Sequence, residues 1–307
     1  MSIQQADTVG ILGPGAQPAT EPRRQESQET GVVRRRGLLR RVPIWLCYAW
    51  LATVLVCAVF AELLPVDDPE AIDPINRLQG PSWAHLFGTD TLGRDLLSRV
   101  VYGARVSVVV AVASLALGLT IGGALGIVAG YMRGKIDGIA SWTVDVVLSF
   151  PALVLLIALV AYTGGGLMNI SLALGFLAIP AYARIARAHT MAISSEEFVL
   201  AARASGATRT RVLWREVLPN VLPALLAYGL IAMSLVIVIE GNLSFLGLSV
   251  SAPTPSWGGL IADGQNYIRD SPTNVIIPAT VLCITVLALN VAGEQLRRRF
   301  EVGGNGD

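Results

Sequence analysis

Six long apolar stretches alternate along the chain with charged or turn-rich segments. Each is long enough to carry a helix across a ~30 Å hydrocarbon layer. The first, 42–61, is uncharged and follows Arg34, Arg35, Arg36, Arg40 and Arg41. The second, 106–130, contains no charged residue. The uncharged run Val146–Ala183 is too long for one crossing, and Thr163-Gly164-Gly165-Gly166 divides it. It is therefore read as spans at 138–162 and 167–183 joined by a tight turn, with a kink at Pro151. A fifth span, 221–243, starts or kinks at Pro219 and Pro223, and a sixth covers 274–293. The pattern predicts an all-α polytopic membrane protein with six transmembrane helices, whose first partner is the lipid bilayer.

The segments between the spans carry the polarity. Residues 1–36 are rich in Gln, Gly, Glu, Thr and Pro and too poor in apolar side chains to fold, so a disordered tail is expected. The extreme N-terminus lacks the apolar core and cleavage site of a signal peptide; a cleaved signal is the rival reading of 42–61, which has no clear cleavage box. Residues 64–104 form a proline-rich loop in which Asp90 or Thr91 is expected to cap a helix running towards Tyr102. Residues 244–273 read as an irregular, partly re-entrant loop, tolerated near a membrane only where buried in protein or lining water. Residues 294–307, with Arg297, Arg298 and Arg299, form a short basic tail. Eighteen of the 23 Lys and Arg fall on the side of the N-terminus; Arg77, Arg94, Arg99, Arg105 and Arg269 fall on the other. The positive-inside rule then places both termini in the cytoplasm of a plasma (inner) membrane protein.

Composition agrees: 53% of the 307 residues are hydrophobic and 15% charged, with mean hydropathy +0.59. Cys47, Cys57 and Cys283 lie in apolar runs and form no metal or disulfide pattern, and His85 and His189 are far apart. Asp90 and Asp95 lack further ligands, so no metal site is expected. Gly118, Gly122, Gly126 and Gly130 make three overlapping G-x-x-x-G units, read as a helix-packing face, with a glycine-lined pathway as the lesser alternative. Asp145 and Glu240 are carboxylates in or at the edge of spans and hence pathway candidates. Asp145 lies near a span end, where solvation or pairing with Arg133 or Lys135 explains it equally well.

The charged interruption 184–218 carries six arginines and three glutamates. Ser194 and Glu197 have capping-box spacing, so a helix is expected from about Ser195. Its small face is Ala201, Ala202, Ala204 and Ser205; Gly206 suits the left-handed residue that ends it. Thr208 then caps a second helix, expected to break at Pro219. On physical grounds alone a solvated amphipathic loop remains open beside a docking loop.

These residues resemble a known family. Ala201-Ala202, Gly206 and Leu218-Pro219 are similar to the EAA loop of permease subunits in bacterial ABC importers, which docks into a groove on a cytoplasmic ATPase. Leu200 stands where that motif has glutamate, and Glu216 where it has an apolar residue. Residues His85–Ser107, Leu243-Ser244-Phe245-Leu246-Gly247 and Pro255-Ser256-Trp257-Gly258 resemble the C-type permease of dipeptide and oligopeptide importers. The resemblance spans about Pro43–Phe300. It implies a type I ABC importer permease fold and a non-catalytic subunit forming half of a translocation pathway by alternating access. Its implied partners are a homologous B-type permease, two ATPase subunits holding ATP and Mg, and an extracytoplasmic peptide-binding protein. Ala201, Ala202, Gly206, Leu218 and Pro219 would shape the ATPase-coupling surface. Substrates in the subfamily are dipeptides and longer peptides and, in some members, nickel complexes, haem or glutathione.

No phosphate-binding G-x-x-x-x-G-K-[ST] loop, zincin motif or G-x-S-x-G elbow is present, so the chain itself is not expected to be an enzyme, bind a cofactor or bind nucleic acid. The remaining rival is an autonomous secondary transporter, for which Asp145 and Glu240 would be ion sites. Such folds often carry two related halves, and no repeat of that kind is visible.

Overall fold

The computed structural model describes residues 44–250 and 252–302. The expected tail at 1–36, the first two residues of the first span and residues 303–307 lie outside the described residues. Among those described there is no strand, only an isolated bridge between Thr89 and Asp95.

The helices follow from the apolar runs. α1 is Ile44–Phe60 and α2 is Leu96–Leu117; a π turn at Gly118–Gly122 joins α2 to α3, Gly123–Met132. α4 (Gly134–Leu148) and α5 (Ala152–Thr163) precede α6, Leu167–Ile193. α7 (Glu197–Ala204) and the single turn α8 (Arg209–Val212) lead through a second π turn, Leu213–Val217, into α9, Leu218–Phe245. α10 is Trp257–Gly264 and α11 Thr273–Val302. Five continuous helical stretches are long and apolar enough to cross a membrane, or six if the bent pair α4–α5 counts as one.

Two expectations are corrected in shape and one is sharpened. The kink expected at Pro151 within 138–162 is a bend of 81° between α4 and α5 across Ser149-Phe150-Pro151, because proline cannot continue the ladder and clashes with the preceding turn. The span 167–183 runs ten residues further, to Ile193, carrying Arg184 and Arg187 on the helix rather than in a loop. Those guanidiniums are tolerated there because both find carboxylates on α4. Arg187 binds both oxygens of Asp137, and Arg184 Nη2 lies 2.6 Å from Asp145 Oδ1. The fifth span begins at Arg209, so the continuous stretch Arg209–Phe245 has 37 residues. At 1.5 Å per residue that is about 55 Å, well beyond a ~30 Å hydrocarbon layer.

Close backbone contact organises the interior. The α2–α3 stretch lies against α6, and Gly118, Gly122, Gly126 and Gly130 all face that helix. A Cβ at Gly122 would run into the Ile179 carbonyl, and one at Gly126 into the Ala183 carbonyl. The main buried cluster draws Val110, Leu156, Ile170, Ile237 and Trp257 from α2, α5, α6, α9 and α10. A second cluster joins Ile127 and Ala186 to Val199, Val212, Val217, Val221 and Leu225. It fixes the 194–218 segment to the ends of α3 and α6. The loop of residues 61–95 and the 246–272 segment occupy the opposite end. There the Arg77 guanidinium stands 5.7 Å from the Tyr267 ring, and the Trp257 indole N–H donates to the Val100 carbonyl at 3.0 Å.

Candidate functional site

The 194–218 segment is built from short local devices. Ser194 forms no capping box with Glu197, because α6 runs to Ile193 and Ser194 serves as its C-cap. The N-cap of α7 is Glu196, without a side-chain bond. At the other end of α7, Gly206 donates to the Arg203 carbonyl at 3.0 Å and Ala207 to the Ala202 carbonyl at 3.2 Å, the paired bonds of a Schellman motif. Gly206 holds φ +84°, and nothing lies within 4 Å of where its Cβ would be. Only backbone conformation therefore demands glycine here. The Thr208 hydroxyl accepts from the Arg211 N–H at 3.3 Å, capping the next turn.

The second helix does not break at Pro219. Pro219 stands in the first turn of α9, directly after the π turn has re-registered the ladder. The Asn220 side chain donates to the Glu216 carbonyl at 2.6 Å, giving that carbonyl a partner beside the proline. The chain thus passes from the platform into a membrane-length helix without a joint.

Burial divides the platform into two faces. Val199, Val212 and Val217 are buried; Ala202, Ala207, Leu213 and Leu218 are half-buried against them. The opposite face exposes Phe198, Leu200, Ala201, Gly206, Trp214 and Pro219, with Trp214 63% accessible. The small residues of α7 therefore do not share one packed face: Ala202 turns inward, whereas Ala201, Ala204 and Ser205 face out. A groove of about 490 Å³ runs beside them, lined by Tyr131, Met132, Arg203, Arg209, Thr210 and Leu213 among others. Tyr131, at the end of α3, bridges the two short helices: its hydroxyl donates to the Arg209 carbonyl at 2.9 Å, and the Arg203 guanidinium stands 5.2 Å from its ring. No sequence pattern had singled out Tyr131; its place on the last turn of a glycine-rich helix was the only available sign.

Asp145 and Glu240 are not brought together. Asp145 is exposed and paired with Arg184, not with Arg133 or Lys135, and it borders a small cavity with Gly126, Ala140 and Arg187. Glu240 lies near the opposite end, 0% accessible. Its Oε1 accepts from Ser249 at 2.6 Å and Ser244 at 3.3 Å, while Oε2 has no partner among the described residues. These bonds join the last turns of α9 to the segment leading to α10.

At the same end, buried Asp90 gathers Arg94 Nε at 2.7 Å and Arg99 Nη1 at 2.8 Å. It also accepts the backbone N–H groups of Leu92 and Arg94. Asp90 is therefore occupied, and Asp95, not Asp90 or Thr91, caps α2 by accepting from Ser98 N at 2.8 Å.

Comparison with known proteins places this architecture. Residues 122–302 match the family described as binding-protein-dependent transport system inner membrane component. A dipeptide transport system permease of Alkalihalophilus pseudofirmus is 36% identical over 247 residues, covering 80% of this chain and 81% of that protein. A di/tripeptide transport system permease of Pseudomonas aeruginosa is 35% identical over 254 residues, 81% of this chain and 84% of that one. A glutathione transport system permease of Pectobacterium atrosepticum is 35% identical over 245 residues, covering 80% and 81%. Among solved structures, an inward-facing methionine ABC transporter, MetNI, superimposes with TM-score 0.56 at 22% identity, covering 66% of this chain and 96% of its own. That likeness establishes a shared fold. With its membrane-length helices and a match over most of its length, the chain belongs to the inner membrane component family of binding-protein-dependent transport systems.

Proposed function

We propose that this chain is the C-type permease subunit of an ATP-driven importer of di- and oligopeptides. It would form half of the translocation pathway beside a homologous B-type permease. Two ATPase subunits holding ATP and Mg would drive it, and an extracytoplasmic binding protein would deliver substrate. Both termini and the 194–218 platform would then face the cytoplasm. The observation that carries this reading is the platform itself: an exposed face of Phe198, Ala201, Gly206 and Trp214, anchored through Val199, Val212 and Val217 and continuous with α9. A push on that face reaches a membrane-length helix through Trp214, on the unbroken stretch Arg209–Phe245, and through the shared cluster of Val199, Val212 and Val217 that ties α7 to it. The substrate assignment rests on the dipeptide and di/tripeptide permeases among its relatives. Glutathione, a tripeptide derivative, is the second reading, supported by the relative named for it.

Alternating access would work through these parts. Closure of the ATPase pair would draw two such platforms together and rotate the helices they continue into, opening the pathway outward. Gly206→Trp tests this: a bulky side chain at an exposed, φ-constrained position obstructs docking while leaving membrane insertion intact. Uptake should fall at least tenfold while ATP hydrolysis no longer tracks it. Wild-type uptake by that variant contradicts the coupling role. Asp145 and Glu240 enter the proposal as pathway candidates, and normal uptake in both alanine variants removes them.

A further inference from the structure

The 61–95 loop holds a constellation that the transport reading does not use. His85 Nδ1 lies 3.0 Å from Asp95 Oδ1, and ligand atoms of Asp67, His85 and Asp95 all lie within 4.8 Å of one another. With its proton on Nδ1 the imidazole donates to Asp95; with the proton on Nε2, two lone pairs face each other and a cation between them relieves the repulsion. Asp67 sharpens the choice, since its carboxylate makes no hydrogen bond or ion pair among the described residues. Among the described residues no Lys or Arg pairs with Asp67 or Asp95; nearby Arg94 and Arg99 are held by Asp90, and Arg99 also lies 3.9 Å from Asp263. Two carboxylates and an imidazole therefore converge with no described Lys or Arg to balance them.

The three side chains are also positioned in advance. Ser98 holds both carboxylate residues: its N–H donates to Asp95 Oδ2 at 2.8 Å, and its hydroxyl donates to the Asp67 backbone carbonyl. The His85 backbone is fixed on both sides, donating to Ser82 Oγ at 3.1 Å and accepting from Ser82 N at 2.8 Å. Hydrogen bonds that orient ligating groups are a regular feature of metal sites. We propose that Asp67, His85 and Asp95 form a binding site for a first-row divalent metal ion of the zinc class. Nδ1 and the two carboxylates would be the protein ligands and water would complete the shell. Zinc binds nitrogen and oxygen at about 2.0–2.2 Å, so the 3.0 Å Nδ1–Oδ1 pair already spans one edge of its coordination shell. Asp67 is exposed, and rotation of its side chain would close the remaining gap. The ion would pin the start, middle and end of the loop to the first turn of α2.

The test uses the full chain, purified with its partner subunits through an affinity tag without histidine, stripped with chelator and titrated with zinc sulfate against a chromophoric competitor. One zinc per chain is expected, with affinity at least tenfold weaker in Asp67→Asn and in His85→Ala, in line with the 10- to 100-fold losses seen when metal-site shells are altered. His189→Ala and Glu70→Gln should match wild type. Asp67→Asn alters an exposed side chain and preserves the fold, so its loss of zinc is separable from misfolding; matching elution profiles and circular dichroism check this. Wild type binding zinc no better than the Asp67→Asn, His85→Ala double variant overturns the site and leaves a proton as the bridge between His85 and Asp95.

Discussion

Tyr131 joins three points that the sequence leaves far apart: the end of α3, Arg203 on α7 and the Arg209 carbonyl at the start of α8. Its two contacts can be removed in steps. Tyr131→Phe deletes a hydrogen bond worth about 1 kcal/mol but keeps the ring beneath the guanidinium; Tyr131→Ala deletes both, adding roughly 0.5–1 kcal/mol at an exposed site. Uptake per ATP hydrolysed should fall slightly in the first and several-fold in the second, and equal values in all three proteins refute the bridge. Glu240 obeys a similar logic. Glu240→Gln keeps the carbonyl that accepts from Ser249 and Ser244, whereas Glu240→Ala strands the buried Ser249 hydroxyl, Ser244 keeping the Glu240 backbone carbonyl at 3.2 Å, and should cost about 1–3 kcal/mol. A clear drop in thermal stability of the purified complex for Ala, and little change for Gln, is expected. The Asp145–Arg184 pair is exposed at both partners, so Asp145→Ala should alter stability by no more than about 1 kcal/mol.

At the scale of elements, the glycine ladder sets how closely α2–α3 approaches α6. Gly126→Leu forces a side chain into the Ala183 backbone and should destabilise the protein by roughly 1–3 kcal/mol or more, since backbone yields less readily than a side chain. Loss of monodisperse protein after detergent extraction measures it; a wild-type elution profile contradicts the contact. Local signals were legible where one residue decides the outcome. Gly206 at a helix end, Thr208 before one and Pro151 at the α4–α5 bend each follow from backbone rules. Signals failed where neighbouring elements compete for the same residue. Ser194 has the spacing of a capping box, yet α6 continues far enough to claim it as a C-cap. Pro219 reads as a stop, yet a π turn upstream lets the helix resume. Asp90 resembles an N-cap, yet it closes a turn on the Leu92 and Arg94 N–H groups and binds two arginines, while the helix starts only at Leu96 and is capped by Asp95.

For the whole molecule, uncharged apolar runs marked the region of each helix long and apolar enough to cross a membrane among the described residues, because twenty or so consecutive apolar residues have few other uses. Their true lengths were not legible. Arg184 and Arg187 look like loop residues until their partners on α4 are in place, and those contacts are non-local; Arg209–Arg215 read as a separate short helix ending at Pro219, not as the start of α9. The platform and its anchor emerge only in three dimensions, since Val199, Val212 and Val217 are separated by exposed residues whose roles no single window distinguishes. In the proposed role, this chain transmits force from separate ATPase subunits to a peptide pathway. Mild detergent extraction of the tagged chain from cells expressing its partners, followed by ATPase assay of the recovered material, tests that claim most directly. Recovery of a second permease and an ATPase pair, with ATP hydrolysis in the eluate, is the predicted result. Recovery of this chain alone, without hydrolytic activity, would contradict it and make Asp145 and Glu240 the ion sites of an autonomous transporter.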